Sequence, residues 1–223
     1  MLTGQQISDV VDPLGWRLIQ AELLAHVPVP SLAAAVDAAS VAVDAAGEGG
    51  NGHLTAELQP DRVVLRLQTA VTGTVTDDDL LLARSVTQAL AGRSLAATPG
   101  DRAAVPQTIE IAIDALDIAL VRPFWQAATG YVDQPGVEGP DIALVDPLGR
   151  GPAIWFQQMD APRPQRNRIH LDVEVAPELA RPRIDAAIAV GGLLLSDAHA
   201  PAFWVLADPE GNEVCVCTWQ GRD

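Results

Sequence analysis

The feature that most constrains this chain is an internal repeat in its second half. The segment Asp-Pro-Leu-Gly at residues 146–149 recurs 62 residues later as Asp-Pro-Glu-Gly at residues 208–211. Each copy lies between two apolar stretches and favours a hairpin, because proline fixes φ and glycine adopts the left-handed conformation. Self-similarity of this kind predicts that the second half contains two copies of one supersecondary unit.

The residues upstream of each turn extend the repeat. An alternating strand pattern at residues 109–114 has its counterpart at residues 169–174, and helical segments follow at residues 117–129 and 177–190. Each copy therefore predicts a strand, a helix and two or three further strands. One βαβββ module leaves a sheet face uncovered, whereas two packed modules form a cupped sheet with a cavity.

The first half has a different order: strand, strand, helix, strand, strand, helix. Ser31 is placed to cap the first helix, and Thr76 with the three aspartates after it starts the second. The expected strands lie within residues 16–27, 53–58 and 62–69, and the helices at residues 32–46 and from Thr76 to about residue 90. This order predicts an α+β sandwich in which helices cover one face of an antiparallel sheet.

A stretch of turn-forming residues without periodicity separates the halves. We therefore expect a first domain at residues 1–92, a linker at residues 93–106 and a second domain at residues 107–223. The fold class expected for the whole chain is α+β.

The charge of the chain excludes some partners. Its 223 residues carry 29 acidic and 14 basic side chains, a formal net charge of −15. Such a surface disfavours nucleic acid and anionic lipid as partners. No apolar run approaches the ~20 residues of a membrane span, and the N-terminus lacks the pattern of a signal peptide.

The two cysteines, Cys215 and Cys217, lie two residues apart on one predicted strand. A disulfide at that spacing would be strained, so both thiols are expected to be free. Free thiols are typical of a reducing cytoplasm, which is the expected compartment.

Three strands of the second half share one binary pattern. Apolar residues alternate with polar or reactive ones, so each strand has one apolar face and one polar face. We expect the apolar faces to pack against helices and the polar faces to line the cup or to meet solvent. The polar or reactive positions are Glu110, Asp114, His170, Asp172, Glu174, Glu213, Cys215 and Cys217.

Glu110, His170 and Glu213 are candidate metal ligands if these polar faces converge. Two carboxylates and one imidazole suit Mn²⁺, Fe²⁺, Ni²⁺ or Zn²⁺ and leave positions open for a bidentate substrate. Such a metal would stabilise an enolate-like anion, with Asp172 or Asp114 as the catalytic base.

The same polar faces also admit an interpretation without a metal. A sheet with one polar face is ordinary, and a single histidine on such a face usually forms hydrogen bonds. Cys215 and Cys217 then fill space as small apolar residues in a substrate pocket. Trp155 and Trp204 either pack in the core or form a stacking wall for a flat ligand.

Three motifs of the second half point to a family. They are Asp117 with Phe124-Trp125 and Gly130-Tyr131, the run Asn-Arg-Ile-His-Leu-Asp-Val at residues 167–173, and Asp-Pro-Glu-Gly-Asn-Glu at residues 208–213. On these, residues 109–218 resemble the glyoxalase/bleomycin resistance/dioxygenase (vicinal oxygen chelate) superfamily, in its branch of small bacterial glyoxalase-like proteins. The resemblance implies metal ligands at Glu110, His170 and Glu213, although glutamate replaces the more usual histidine at the first position.

The first half resembles pterin-4a-carbinolamine dehydratase. The resemblance is carried by the order of elements and by residues 62–69, Gly73, Val75-Thr76, Asp79 and Leu82-Ala83. It implies a dehydratase site of which His53 and Asp79 remain, whereas Gly52 and Ala70 stand where that family has histidines. We therefore expect a degenerate dehydratase-like domain that binds a ligand, mediates homo-oligomerisation or covers the second domain.

Three functions stay open at this point. The first is a metal-assisted lyase, isomerase or oxygenase of the glyoxalase-like kind, fused to an inactive dehydratase-like domain. The second is a metal-free protein that binds a small molecule, as resistance proteins of this superfamily do. The third is residual 4a-hydroxytetrahydrobiopterin dehydratase activity in the first half.

Overall fold

The computed structural model divides the chain into two compact units. Unit 1 comprises Met1–Thr108 with Pro135–Val137, and unit 2 comprises Ile109–Gln134 with Glu138–Asp223. The structure describes residues 2–100, 107–139, 141–162 and 169–221. Within these ranges, every helix is too short or too polar to cross a bilayer.

Unit 1 has the expected order of elements, with one helix added at the start. Its helices are α1 (Gly4–Val11), α2 (Leu32–Ala46) and α3 (Asp77–Ala91), and its strands are β1 (Arg17–Ile19), β2 (Glu22–Pro28), β3 (Leu54–Leu58) and β4 (Arg62–Leu67). The strands form an antiparallel sheet in the order β1-β2-β4-β3. Helix α1 was not expected, because only Ile7 and Val11 of this short, polar segment are buried.

The expected capping residues start the two longer helices. The Ser31 hydroxyl accepts a hydrogen bond from the Ala34 amide at 3.2 Å. The Thr76 amide donates to the Asp79 carboxylate at 2.8 Å, which is one half of a capping box. Side-chain acceptors thus satisfy amides that would otherwise lack partners at both helix starts.

The core of unit 1 follows the strand alternation. Val63, Leu65 and Leu67 on β4 are fully buried, whereas the residues between them are half-buried. They belong to one apolar cluster with the buried alanines of α2 and with Leu80, Val86 and Leu90 of α3. Burial of these side chains, about 1.5–3 kcal/mol for each Val or Leu, drives the helices onto the sheet.

Unit 2 consists of two βαβββ modules, as the repeat predicted. Module 1 comprises β5 (Glu110–Ala115), α4 (Ile118–Thr129), β6 (Val132–Asp133), β7 (Leu144–Val145) and β8 (Ala153–Gln158). Module 2 comprises β9 (Asp172–Glu174), α5 (Pro177–Ala189), β10 (Leu193–His199), β11 (Phe203–Ala207) and β12 (Glu213–Cys217). The strand orders, β5-β8-β7-β6 and β10-β11-β12-β9, match, and in each module the first and last strands are parallel.

One strand boundary differs from expectation and bears on the site. The alternation predicted a strand over residues 169–174, but β9 begins only at Asp172. His170 therefore lies in the segment before the strand, and Asn167 and Arg168 lie outside the described residues. Because His170 precedes the strand, the alternation of side chains along β9 does not determine on which face of the sheet its imidazole lies.

The two modules share one apolar core. Phe124 and Trp125 of α4 are buried together with Ile184 of α5 and with Val214 and Val216 of β12. The two aromatic rings meet edge to face, with centroids 5.7 Å apart. The two modules therefore form one folding unit and are not two independent domains.

The second copy of the repeated turn carries a buried charge. The Asp208 side chain is fully buried, and one of its oxygens accepts from the Trp125 indole at 3.0 Å and from the Asn212 amide group at 2.8 Å. The other oxygen accepts from the backbone amides of Glu210 and Asn212, at 2.9 Å each. Because Trp125 belongs to module 1, this carboxylate joins the two modules.

Replacing Asp208 with alanine is expected to destabilise unit 2 by roughly 3 kcal/mol, because buried donors lose their acceptor. The matched control is Asp146→Ala in the first copy of the turn, where the half-buried carboxylate accepts from three backbone amides of its own turn. Equilibrium urea unfolding of both variants measures the difference. Equal losses in the two variants would contradict the special role of Asp208.

Candidate functional site

The polar face of module 2 places a carboxylate beside each thiol. On β12, Val214 and Val216 belong to the core, so Glu213, Cys215 and Cys217 lie on the opposite face. Strand β9 runs parallel to β12 and pairs Asp172 with Cys215, and Glu174 with Cys217. This face therefore combines carboxylates and thiols on two adjacent strands.

The Cys215 thiol is held in its neutral form. Burial, followed by the nearby Asp172 carboxylate, which is hydrogen-bonded to the thiol, raises its pKa to about 11. Both cysteines are buried thiols that are not joined in a disulfide. Because the thiolate is the reactive form, Cys215 at neutral pH is a hydrogen-bond donor and a wall of the site rather than a nucleophile.

A shallow hollow opens between the start of β12 and the segment before β9. Its lining residues are Ile169, His170, Leu171, Glu213, Val214 and Cys215. The hollow thus brings together His170, Glu213 and Cys215, three of the residues singled out in the sequence. Asp172 adjoins them through its pairing with Cys215.

The polar face of module 1 carries the other expected residues. Strand β5 places Ile113 in the core, so Glu110, Ala112 and Asp114 lie on its other face. Trp155 pairs with Ala112 on the same face and is 36% exposed.

Trp204 does not join this group. It pairs with Val216 and packs against the core, on the apolar face of its sheet. Of the two roles expected for Trp204, this position favours packing, because the strand alternation of β11 puts Trp204 on the side of Leu206, which is buried.

Comparison with known families accounts for this architecture. Residues 110–217 match the model of the family described as glyoxalase-like domain. These residues form a glyoxalase-like domain. The first half of the chain, up to Thr108, lies outside the match, so its resemblance to a dehydratase stays a prediction.

Several solved structures are similar to this chain. They include a glyoxalase-related enzyme from Fulvimarina pelagi, with 19% identity, a TM-score of 0.41 and coverage of 51% of this chain and 88% of that one. They also include a glyoxalase/bleomycin resistance protein/dioxygenase family enzyme from Burkholderia phytofirmans PsJN, with 21% identity, a TM-score of 0.40 and coverage of 49% and 95%. A glyoxalase/dioxygenase from Nostoc punctiforme has 13% identity, a TM-score of 0.41 and coverage of 53% and 94%. No curated protein matched the chain.

The side chains of the glyoxalase-like domain form a metal centre only if several of them can reach one ion. A metal needs its protein ligands at about 2.0–2.3 Å from a common point. Within the part of the chain that the structure describes, no group of three or more His, Cys, Asp or Glu side chains is arranged to hold a metal ion. As placed here, Glu110, His170 and Glu213 therefore do not fit a metal centre, and Glu110 does not line the hollow that holds the other two.

Unit 1 contains a second polar cluster, built around Asp79. The Asp79 carboxylate is fully buried, and one of its oxygens lies 2.8 Å from His53 Nδ1. Its other oxygen accepts from the Thr69 hydroxyl and from the Thr76 amide, at 2.8 Å each. The structure thus brings together His53 and Asp79, the two residues expected to remain from a dehydratase site.

Sequence reasoning missed the part that the threonines play. The Thr69 hydroxyl bonds to the Thr76 hydroxyl at 2.7 Å and lies 3.3 Å from His53 Nδ1. Thr69 thus links His53, directly before β3, to the start of α3. The spacing Thr-x-x-Asp at residues 76–79 predicts a helix start and does not reveal the bonds of Thr69. Asp79 therefore has two roles, since it caps α3 and orients the His53 ring.

The Asp172→Asn substitution is expected to lower the pKa of Cys215, because it removes a negative charge that disfavours the thiolate. Alkylation of Cys215 by iodoacetamide should then begin at a lower pH than in the wild-type protein. Peptide mass spectrometry over pH 7–11 follows the reaction, and Glu174→Gln, beside Cys217, is the control. An unchanged profile in Asp172→Asn would contradict this account.

The same shift has a consequence for stability. The pKa of Cys215 is raised on folding, so the neutral thiol stabilises the folded state below about pH 9. That contribution is expected to disappear as the pH rises from about 9 towards 11. In Cys215→Ser, unfolding free energies measured over this range should show a weaker pH dependence.

Proposed function

We propose that the glyoxalase-like domain is a small-molecule enzyme that binds its substrate in the hollow of module 2. The observation that carries the proposal is the meeting of His170, Glu213 and Cys215 in one hollow, with Asp172 beside it. Titratable side chains that converge on a concavity are the usual marks of a site where protons are moved.

The chemistry of these side chains favours a lyase or an isomerase. Proton removal next to a carbonyl needs a base within hydrogen-bond reach and a donor for the oxygen that becomes negative. Glu213 and Asp172 supply carboxylate bases, and an N–H of His170 supplies a donor. Asp114 is the corresponding candidate base on the polar face of module 1.

A binding protein without catalysis is the alternative for the same domain. Trp155 is partly exposed on the polar face of module 1, and Ile169 is 79% exposed at the rim of the hollow. Exposed apolar surface beside polar groups is typical of sites for flat, partly apolar molecules. On this reading the protein sequesters its ligand, as resistance proteins of the superfamily do.

Thermal-shift screening is expected to separate the two readings. One panel holds α-hydroxyketones and catechols, which present adjacent oxygens, and the other holds planar apolar compounds. Hits from the first panel should lose their stabilising effect in His170→Ala and Glu213→Gln but keep it in the surface control Asp160→Asn. Hits confined to the planar panel, insensitive to both site variants, would favour sequestration and contradict the enzyme.

Metal loading gives a further check. After reconstitution with Mn²⁺, Ni²⁺ or Zn²⁺, elemental analysis is expected to find much less than one ion per chain, because the described side chains do not fit a metal centre. A stoichiometric ion that is lost in both Glu110→Gln and Glu213→Gln would overturn this expectation and restore the three-ligand site.

A second candidate function, proposed for unit 1, is residual 4a-hydroxytetrahydrobiopterin dehydratase activity. The observation that favours it is the bond of 2.8 Å between His53 and the buried Asp79 carboxylate. A carboxylate on Nδ1 fixes the ring and its tautomer, which leaves Nε2 as the atom that exchanges a proton. The side chain of His53 keeps 16% of its surface exposed, so that exchange can reach a ligand.

A dehydration assay with 4a-hydroxytetrahydrobiopterin tests this candidate. Slow turnover is expected in the wild-type protein, and its loss is expected in His53→Gln but not in His199→Gln, a histidine of unit 2. Absence of turnover in the wild-type protein would end the proposal and leave Asp79 with its role as the cap of α3.

A further inference from the structure

We infer that the turn at residues 208–212 is a clamp that sets the spacing of the two modules, and that Glu210 and Asn212 are positioning residues for the site. The clamp deepens the proposed function, because it connects Asp114 on one module with Glu213 on the other. Three sets of hydrogen bonds, and a difference between the two copies of the turn, support this role.

Glu210 makes the first connection. Its two carboxylate oxygens accept hydrogen bonds from the backbone amides of Leu116 and Asp117, each at 2.7 Å. These amides lie where β5 ends and α4 begins, so a side chain of module 2 holds the start of the helix of module 1. The negative charge also interacts favourably with the positive end of the α4 dipole.

Asn212 makes the second connection. Its side-chain amide donates to Asp208 at 2.8 Å and to the backbone carbonyl of Asp114 at 3.3 Å. Glu213, the first residue of β12, follows it directly. A single residue thus ties the backbone of one candidate base, Asp114, to the strand that carries Glu213.

Helix α4 is held at its other end as well. The Arg183 guanidinium of α5 donates to the carbonyl of Thr129, the last residue of α4. Gly130 follows with a φ of 73°, and a Cβ at that position would collide with the guanidinium. Because both ends of α4 are tied to module 2, loss of the clamp is expected to let α4 pivot about its end at Thr129.

The first copy of the turn shows what the hairpin alone requires. Asp146 accepts from the amides of Leu148, Arg150 and Gly151, all within its own turn. Leu148 stands at the position that corresponds to Glu210 and is 70% exposed. A hairpin of this type therefore closes without a carboxylate at that position, so the bonds of Glu210 to module 1 serve something other than hairpin closure.

The test measures the spacing between the modules directly. Spin labels are placed at Leu120→Cys on α4 and Leu179→Cys on α5, which are 49% and 48% exposed, whereas the native cysteines are buried. Double electron–electron resonance then compares the full-length protein with Glu210→Leu, which copies the residue of the first turn, and with Asn212→Ala. Leu148→Ala is the matched control.

A single narrow distance is expected in the wild type and in Leu148→Ala, and a broader or shifted distribution is expected in both clamp variants. Distributions as narrow as the wild type in both clamp variants, together with a lower Tm, would overturn the clamp and show that the turn only stabilises the fold. Should Glu210→Leu fail to fold, Glu210→Gln keeps one acceptor oxygen and decides the same question. The measurement needs no ligand, so failure of the proposed function leaves its result unaffected.

Discussion

The buried carboxylate of Asp208 is the interaction on which the rest of unit 2 depends. A charge removed from water is tolerated only when donors surround it, and here an indole, an amide side chain and two backbone amides do so. The Trp125 indole comes from module 1 and the other donors from module 2, so the carboxylate keeps all of these bonds only while the two modules hold this placement. The site inherits that placement, because Glu213 follows the turn directly.

Much of the fold could be predicted because its signals are local. Helix α2 has the bounds expected from Ser31, which caps its start, and Gly47, which follows its end. The two βαβββ modules followed from one repeated turn, since identical turn chemistry implies identical neighbours. Helix α1 and the late start of β9 were missed, because each depends on packing contacts that a short stretch of sequence does not reveal.

The candidate sites were predictable to different degrees for a physical reason. His53 and Asp79 were expected to lie close together, and they do, because adjoining elements of one sheet and one helix fix their distance. Strand alternation correctly put Glu110 and Glu213 on polar faces, but it carries no information on the distance between two sheets. The metal centre required that distance, and the side chains as placed do not supply it.

The protonated state of Cys215 also bears on how the glyoxalase-like domain withstands oxidative stress. Hydrogen peroxide reacts with thiolates, and a thiol whose pKa is about 11 presents almost none at physiological pH. Burial and the Asp172 carboxylate, which suppress ionisation of Cys215, thereby also protect it from conversion to a sulfenic acid. A hollow lined in this way keeps its shape and hydrogen-bonding character when a cell becomes more oxidising, although its wall contains cysteine.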